Sequence, residues 1–338
     1  MTLPVFEYVR PESLEAACAF LGRHGADTRI LAGGTDLLVS MKQRLFGPRY
    51  LMDVKRLPEM RRMRFDGAEG LTVGASVRLL DLSEDEAVRA RYAAVAEAAH
   101  SVAAVAQRSM GTVGGNLCLD TRCWYYNQSE MWRKTLGPCL KLEGDACFVV
   151  KGAKECYANY SGDTAPAFLV LDAEVKIAGP DGVRTQPLDA LYTGDGKAPI
   201  ALAPGEILVE ASLPAPPPGT GSAYRKYRLR DCVDFPLAGA AVAIRLDAGG
   251  ACAGAKVALT AVGCRPERSP EVEAVLVGAP LTDTVIARAA RAARARARPL
   301  KTTVMPPPHR KRMVELLVRD AIRAARSRCR PGGRETPP

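Results

Sequence analysis

The feature that most limits the fold of this chain is a glycine-rich turn between an apolar strand pattern and a helix pattern, in the stretch ILAGGTDLLVSMK. Glycine allows positive φ and close approach of the backbone to a ligand, and a helix start carries partial positive charge. The turn is not G-x-G-x-x-G, so a Rossmann fold is not predicted. Two interpretations stay open, a phosphate-binding loop or an ordinary turn whose helix is capped by Thr35 or Asp36.

A second turn of the same kind lies in MGTVGGNL and spans Gly111–Asn116. Taken alone, it could also be a plain turn. Two such turns, each with small polar residues placed to bond phosphate oxygens, favour one shared diphosphate cofactor over two coincidences. We call Leu31–Asp36 the first glycine turn and Gly111–Asn116 the second glycine turn.

The length of 338 residues predicts two domains. No apolar run is long enough to span a bilayer, and the start MTLPVFEYVRPESL lacks the pattern of a secretory signal. We therefore expect a cytoplasmic protein that does not enter membranes, in which thiols stay reduced.

Basic residues are concentrated near the end of the chain. Residues 284–330 contain 14 Lys and Arg but only 2 Asp and Glu, whereas the whole chain has a net charge of +10. These arginines alternate mainly with alanine and have no interleaved aromatics, which favours a solvated helix face over a nucleic-acid surface. The alternatives are a nucleic-acid site or a face that receives an acidic partner.

A dense group of cysteines follows the second glycine turn, with five between Cys118 and Cys156. In a reducing compartment such a group indicates a metal or redox site rather than disulfides. The residues themselves leave three interpretations open: an iron–sulfur cluster, which takes four thiolates, a zinc site, or free thiols. No C-x-x-C pair is present, which speaks against zinc, and a loop this long needs something to order it.

Several motifs in this order resemble the FAD subunits and FAD domains of the molybdenum hydroxylases. They are ILAGGTDLLVSMK, MGTVGGNL, SGDTAPAFLVLDAEVKI, GEILVEASLP, YRKYRLRDCVDFPLAGAAV and HRKRMVELLVRDAI. That family includes xanthine dehydrogenase and aerobic carbon monoxide dehydrogenase. The resemblance covers essentially the whole chain.

The resemblance implies an α+β fold with a two-lobed FAD-binding domain (PCMH/vanillyl-alcohol-oxidase type) in residues 1–218. A smaller α+β CO-dehydrogenase-flavoprotein C-terminal domain would occupy residues 219–330, and residues 331–338 would be a disordered tail. The proline-rich stretch LPAPPPGTG lies at the expected junction, where prolines stiffen the chain and exclude a central strand.

The resemblance also implies which residues bind FAD. The diphosphate would be held by the two turns, Asp163 would lie near the ribityl and adenosine part, Leu208 would pack at the adenine end, and Lys226 would lie near the isoalloxazine. The implied cofactor-binding set is Leu31, Ala32, Gly33, Gly34, Thr35, Asp36, Thr112, Gly114, Gly115, Asn116, Asp163, Leu208 and Lys226.

Residues of about 118–160, here called the cysteine segment, resemble the insertion of the 4-hydroxybenzoyl-CoA reductase beta subunit. That resemblance implies an additional [4Fe-4S] cluster on Cys123, Cys139, Cys147 and Cys156. Cys118 would be the spare cysteine, although the sequence alone leaves open whether it replaces Cys123.

The function implied is electron transfer without a catalytic residue in this chain, since His24, His100 and His309 lie in no catalytic constellation. Electrons would pass from ferredoxin through the [4Fe-4S] cluster and FAD to a [2Fe-2S] small subunit and a molybdopterin-binding large subunit, reducing 4-hydroxybenzoyl-CoA to benzoyl-CoA. The alternative is an oxidative molybdenum hydroxylase whose flavin passes electrons outward. Neither reading requires nucleic acid.

Overall fold

The computed structural model describes residues 2–301 and 304–329. Its first sheet is parallel, and its three strands lie in the order β1-β3-β2. These strands are β1 (Glu7–Val9), β2 (Thr28–Leu31) and β3 (Tyr50–Asp53). Strand β2 leads directly into the first glycine turn, and the buried β3 lies at the centre of the sheet. The predicted tail 331–338 lies outside the described residues.

The second sheet is antiparallel and has the strand order β4-β5-β8-β6-β7. Its strands are β4 (Met63–Asp66), β5 (Gly70–Gly74), β6 (Glu174–Gly179), β7 (Gly182–Pro187) and β8 (Ile207–Leu213). The central β8 is apolar and almost fully buried, whereas the edge strand β7 is largely exposed. Side chains of this sheet form one core with helices of the first half of the chain.

The third sheet is also antiparallel, with the order β12-β11-β10-β9. Its strands are β9 (Thr220–Tyr227), β10 (Ala238–Leu246), β11 (Cys252–Thr260) and β12 (Glu267–Arg268). A second core fills the space between this sheet and the last helices. Alanine is common on β10, which lets the last helix pack closely against it.

Thirteen α-helices complete the described residues. They are α1 (Leu14–His24), α2 (Leu37–Lys42), α3 (Pro58–Arg61), α4 (Leu79–Glu84), α5 (Glu86–Arg91), α6 (Ala93–Ser101), α7 (Val105–Arg108), α8 (Val113–Leu117), α9 (Glu130–Leu136), α10 (Thr164–Leu169), α11 (Pro270–Leu276), α12 (Asp283–Arg296) and α13 (Pro307–Arg328). Two cores, each with its own sheet and helices, agree with the predicted two-domain α+β fold. In the residues that the structure describes, no helix is long and apolar enough to cross a membrane.

Candidate FAD and thiol sites

The first glycine turn connects β2 to α2. Gly34 has a φ of 71°, which a residue with a Cβ rarely adopts. Asp36 precedes α2 without making a side-chain cap hydrogen bond. Of the two sequence interpretations, capping of this helix by Asp36 is therefore not what the structure shows. The Asp36 carboxylate instead forms an ion pair with the Arg122 guanidinium of the cysteine segment.

The second glycine turn opens α8. Thr112 is its N-cap, and the Thr112 hydroxyl accepts a hydrogen bond from the Gly115 amide at 3.2 Å. A Cβ at position 114 would lie 2.6 Å from the Ala75 Cβ and 2.9 Å from the Ala75 carbonyl oxygen. Only glycine fits here, because β5 continues into a segment that passes directly beneath the turn.

The two glycine turns touch each other. A Cβ at position 33 would lie 2.1 Å from the Met110 carbonyl oxygen and 2.7 Å from the Gly111 Cα. The Thr35 hydroxyl lies 3.5 Å from the position that a Gly111 Cβ would take. The turns, separated by more than seventy residues in the sequence, thus form one backbone surface bearing amides and small hydroxyls.

Asn116 joins this surface to the SGDT motif. Its side-chain oxygen accepts hydrogen bonds from the Thr164 amide at 3.0 Å and the Thr164 hydroxyl at 2.7 Å. Thr164 follows Asp163, so the second turn and the motif that carries Asp163 are held together. Leu208 is buried on β8, and the carbonyl of its neighbour Val209 accepts from the Ala75 amide beneath the second turn.

Asp163 and Lys226 form a buried ion pair with a distance of 2.9 Å between the Lys226 ammonium and the Asp163 carboxylate. The Lys226 side chain is 5% exposed and the Asp163 side chain is 3% exposed. The Tyr224 hydroxyl donates to the other carboxylate oxygen at 2.7 Å, and Lys226 also donates to the Ser101 carbonyl at 3.0 Å. Sequence reasoning named Asp163 and Lys226 but missed Tyr224, since its partner lies 61 residues away.

Burial governs the titration of these groups. It lowers the pKa of Lys226, and the negative charge of Asp163 opposes that shift. It also raises the pKa of Tyr224, and the Asp163 charge and hydrogen bond raise it further. The Tyr224 hydroxyl therefore stays protonated and donates to Asp163, while the Asp163 charge favours a charged Lys226.

The glycine-turn surface suits a diphosphate cofactor. Buried polar atoms near it have no hydrogen-bond partner within the described chain, namely Ser76 Oγ, Gln107 Oε1 and Arg108 Nε. Buried polar atoms without partners are costly unless a ligand or water satisfies them. Together with the two close-packed backbone turns, they are candidate contacts for a bound cofactor.

The cysteine segment encloses a small cavity that four cysteines line together, Cys123, Cys139, Cys147 and Cys156. We call it the four-thiol cavity. These are the four cysteines that the resemblance implies as ligands. Cys118 instead donates its amide to the Gly114 carbonyl at 2.8 Å, and burial raises the pKa of its thiol to about 12. Cys118 is therefore held by the second turn and does not line the cavity.

The thiols influence one another electrostatically. Burial raises the pKa of Cys123 and of Cys156, and the other thiols around the cavity raise both further. The Lys141 ammonium opposes the shift at Cys156. Lys141 lines the same cavity, and its side chain is 4% exposed. Its ammonium donates to Asp120 at 2.7 Å and to the Gly196 carbonyl at 2.9 Å.

Aromatic rings cover the cavity. The Tyr125 ring centre lies 5.6 Å from that of Phe148 and 6.0 Å from that of Trp132, whereas Trp124 is exposed. Across residues 2–301 and 304–329, no three His, Cys, Asp or Glu side chains converge closely enough to hold a metal ion. The four thiols thus share a cavity without meeting at one point, whereas a structural zinc ion needs sulfurs about 2.3 Å from its centre.

Comparison with protein families gives two matches that together span most of the chain. Residues 4–216 match the FAD binding domain in molybdopterin dehydrogenase. Residues 222–325 match the CO dehydrogenase flavoprotein C-terminal domain.

Individual proteins are also similar to this chain over most of its length. The carbon monoxide dehydrogenase medium chain of Hydrogenophaga pseudoflava is 31% identical over 97% of this chain and all of its own length. The aldehyde oxidoreductase FAD-binding subunit PaoB of Escherichia coli is 35% identical over 81% of this chain and 86% of its own. Among solved structures, the Hydrogenophaga pseudoflava carbon monoxide dehydrogenase lacking the Mo-pyranopterin moiety superposes with a TM-score of 0.80, covering 98% of this chain and 100% of the other.

Proposed function

Because this chain belongs to the FAD-binding medium subunits of the molybdenum hydroxylase family, we propose that it relays electrons between FAD and the partner subunits of a molybdenum-containing dehydrogenase. The observation that carries the proposal is the contact between the two glycine turns, where Gly33 has no room for a Cβ. FAD supplies electron transfer in ones and twos. We propose that the two turns hold its diphosphate by backbone amides and by the Thr35 and Thr112 hydroxyls.

The remaining residues of the implied set have distinct roles in this proposal. Asn116 fixes the second turn to Thr164, so the diphosphate surface keeps its shape. Lys226 and Asp163 form a buried charge pair that sets the local electrostatic field, and a positive charge near a flavin ring makes reduction easier. Leu208 supplies an apolar contact from β8. No residue of the chain is assigned as a general acid or base.

We further propose that the four-thiol cavity binds a [4Fe-4S] cluster. Four cysteine thiols around one cavity are the normal donor set for such a cluster, and each iron takes one thiolate, so the sulfurs need not meet at a point. The cluster supplies one-electron transfer. The buried Lys141 ammonium and the aromatic cover would offset its negative charge and keep water away.

We propose the direction of electron flow from the kinds of enzyme to which the relatives belong. Those named here are carbon monoxide dehydrogenase and aldehyde oxidoreductase subunits, which support the oxidative alternative. In this proposal a molybdopterin-binding large subunit oxidises the substrate, a [2Fe-2S] small subunit passes the electrons on, and this chain delivers them to an acceptor. The second candidate, a 4-hydroxybenzoyl-CoA reductase supplied by ferredoxin, rests on the four-thiol cavity and the resemblance of the cysteine segment.

Cofactor analysis of this chain, purified anaerobically and separated from the [2Fe-2S] small subunit, tests both sites. We expect about one FAD, four irons and four acid-labile sulfides in this chain. Absence of FAD would overturn the flavin assignment. One zinc without sulfide would overturn the cluster while leaving the flavin proposal intact.

Flavin absorbance then decides the direction. In the oxidative proposal, an aldehyde, carbon monoxide or a purine bleaches the flavin band of the complex, and an added acceptor restores it. In the reductive candidate, reduced ferredoxin bleaches the band and 4-hydroxybenzoyl-CoA restores it. Bleaching by ferredoxin alone, with recovery only on the acyl-CoA, would contradict the oxidative direction.

A further inference from the structure

The cysteine segment contacts both ends of helix α2, which begins directly after the first glycine turn. At the beginning of α2, the Arg122 guanidinium pairs with the Asp36 carboxylate. The two side chains are only 19% and 28% exposed, so solvent screens the pair weakly. Because Asp36 caps no helix amide, its carboxylate is free to make this contact.

At the other end of α2, Arg133 occupies a buried position. Its guanidinium donates to the Gln43 carbonyl at 3.1 Å and to the Arg44 carbonyl at 2.8 Å, just after α2 ends at Lys42. Carbonyls at a helix end lack intrahelical partners. Arg44 also has a φ of 57°, which is unfavourable for a residue other than glycine. Such a conformation persists only when surrounding contacts hold it.

Both arginines are tied to the four-thiol cavity through the backbone. Arg122 directly precedes Cys123, and its amide and carbonyl pair with Asn159 at 2.7 and 2.9 Å. Arg133 lies on α9, and the loop that follows α9 leads to Cys139. The Arg122 guanidinium also lies 4.3 Å from the centre of the Phe235 ring. A rearrangement of the segment around its thiols would therefore move both guanidinium groups.

We propose that Arg122 and Arg133 are positioning residues that hold the first glycine turn in its FAD-binding conformation, so that FAD binding is coupled to occupation of the four-thiol cavity. This inference rests on the proposed function, since it takes FAD and an iron–sulfur cluster as the two ligands. When iron orders the cysteine segment, the arginines fix α2 and the turn loses less conformational freedom on binding FAD. Thermodynamic linkage then requires that FAD strengthen iron retention by the same factor.

The test compares FAD dissociation constants of the full chain with and without iron. Flavin fluorescence is titrated for protein as purified anaerobically and after removal of iron by a chelator. Parent protein is expected to bind FAD about 10-fold more weakly after iron removal, within the usual range of coupling between sites. In Arg133→Met the ratio of the two dissociation constants falls toward one, because both states have a loosened turn.

Lys134→Met provides the matched control. Lys134 lies on the same helix and forms an exposed pair with Glu130, so its removal should leave the parent ratio unchanged. Arg133→Lys keeps the charge but lacks the two-pronged donor geometry, and an intermediate ratio is expected. If Arg133→Met is poorly folded, the ratio of Arg133→Lys is compared with that of Lys134→Met instead.

The outcomes separate this inference from the proposed function. Parent protein that holds four irons but binds FAD equally well with and without iron would overturn the coupling and leave the relay in place. Parent protein that holds FAD but no iron would overturn the cluster and the coupling together. A ratio that changes as much in Lys134→Met as in Arg133→Met would overturn the role of Arg133.

Discussion

Gly33 is the residue at which the flavin site tolerates least change. We predict that Gly33→Ala weakens FAD binding, because its methyl group would press on the Met110 carbonyl and force the two turns apart. Overpacking of this kind costs about 1–3 kcal/mol, which corresponds to roughly 5–150-fold in the dissociation constant. FAD titration by fluorescence measures the effect.

Gly67→Ala is the control for this substitution, since a Cβ at position 67 meets nothing within 4 Å. It should bind FAD as the parent does. Equal FAD affinity in Gly33→Ala and Gly67→Ala would show that the contact between the turns does not shape the site.

Lys226 is the second residue at which we predict a large effect, in this case on the stability of the protein. Lys226→Met leaves the Asp163 carboxylate buried and unpaired by a cation, which typically destabilises a protein by about 3–5 kcal/mol. Adding Asp163→Asn to Lys226→Met should restore part of the loss, because the uncompensated charge disappears. Thermal unfolding monitored by circular dichroism compares the parent, Lys226→Met and the double variant. The melting temperature should be highest for the parent and lowest for Lys226→Met.

Lys176→Met is the comparison, because the pair of Lys176 with Glu210 is much more exposed, at 43% and 27%. Its expected cost is below about 1 kcal/mol. A melting temperature of Lys226→Met equal to that of Lys176→Met would contradict the buried-pair argument.

At the level of elements, the cysteine segment allows a specific prediction about the iron and sulfide content of the chain. We predict that Cys147→Ser lowers iron and sulfide of the anaerobically purified chain to less than about half, because a [4Fe-4S] cluster needs four thiolates. Cys232→Ser, at an exposed cysteine away from the cavity, should keep the parent content. Unchanged iron and sulfide in Cys147→Ser would remove Cys147 from the ligand set.

Elements with strong local signals could be predicted from the sequence. Glycine marks both turns because positive φ and close backbone approach exclude other residues, as at Gly34 and Gly114. Apolar runs are less informative: the residues from Phe168 to Ile177 have the apolar pattern of a strand, but the run begins inside helix α10 and β6 starts only at Glu174. Short apolar runs fit either structure, and Pro166 in the first turn of α10 suits a helix start.

The alanine-rich stretch from Leu82 to Gln107 has the composition of a helix, but in the structure it is divided among the elements from α4 to α7. Alanine-rich composition favours helix at each position but does not reveal where tertiary contacts break it. The breaks include Asp85, which caps α5, and Ala103, whose φ is 43°. Contacts between residues that are distant in the sequence, such as Arg122 with Asp36, leave no local pattern in the sequence. They can be identified only once the fold is known.

Across the whole molecule, several arginines of the basic end of the chain form ion pairs. Arg294 pairs with Glu315 at 3.1 Å, and Arg323 pairs with Asp283 at 2.8 Å. These pairs lie along α12 and α13 and agree with a solvated helix face.

Glu97 connects the two cores. From α6 its carboxylate accepts from the Tyr224 amide at 2.8 Å and from Arg225 at 3.0 Å on β9, and it pairs with Arg328 of α13. Burial alone would raise the pKa of Glu97, but the Arg328 and Tyr224 hydrogen bonds and the Arg225 charge outweigh it and lower the pKa. The network thus makes the contact between the two halves depend on an ionised carboxylate.

We predict that this contact weakens in acid. A carboxyl whose folded-state pKa is lowered contributes stability that is complete above its unfolded pKa, here near 4.5, and that is lost as the pH falls through the folded-state pKa. Glu97→Gln should lower stability at neutral pH by on the order of 1–3 kcal/mol and flatten the acid loss. Urea unfolding of parent and variant between about pH 7 and pH 3 measures both effects. Glu174→Gln, at an exposed position of β6, should follow the parent curve, and a parent-like acid slope in Glu97→Gln would exclude Glu97 as the titrating group.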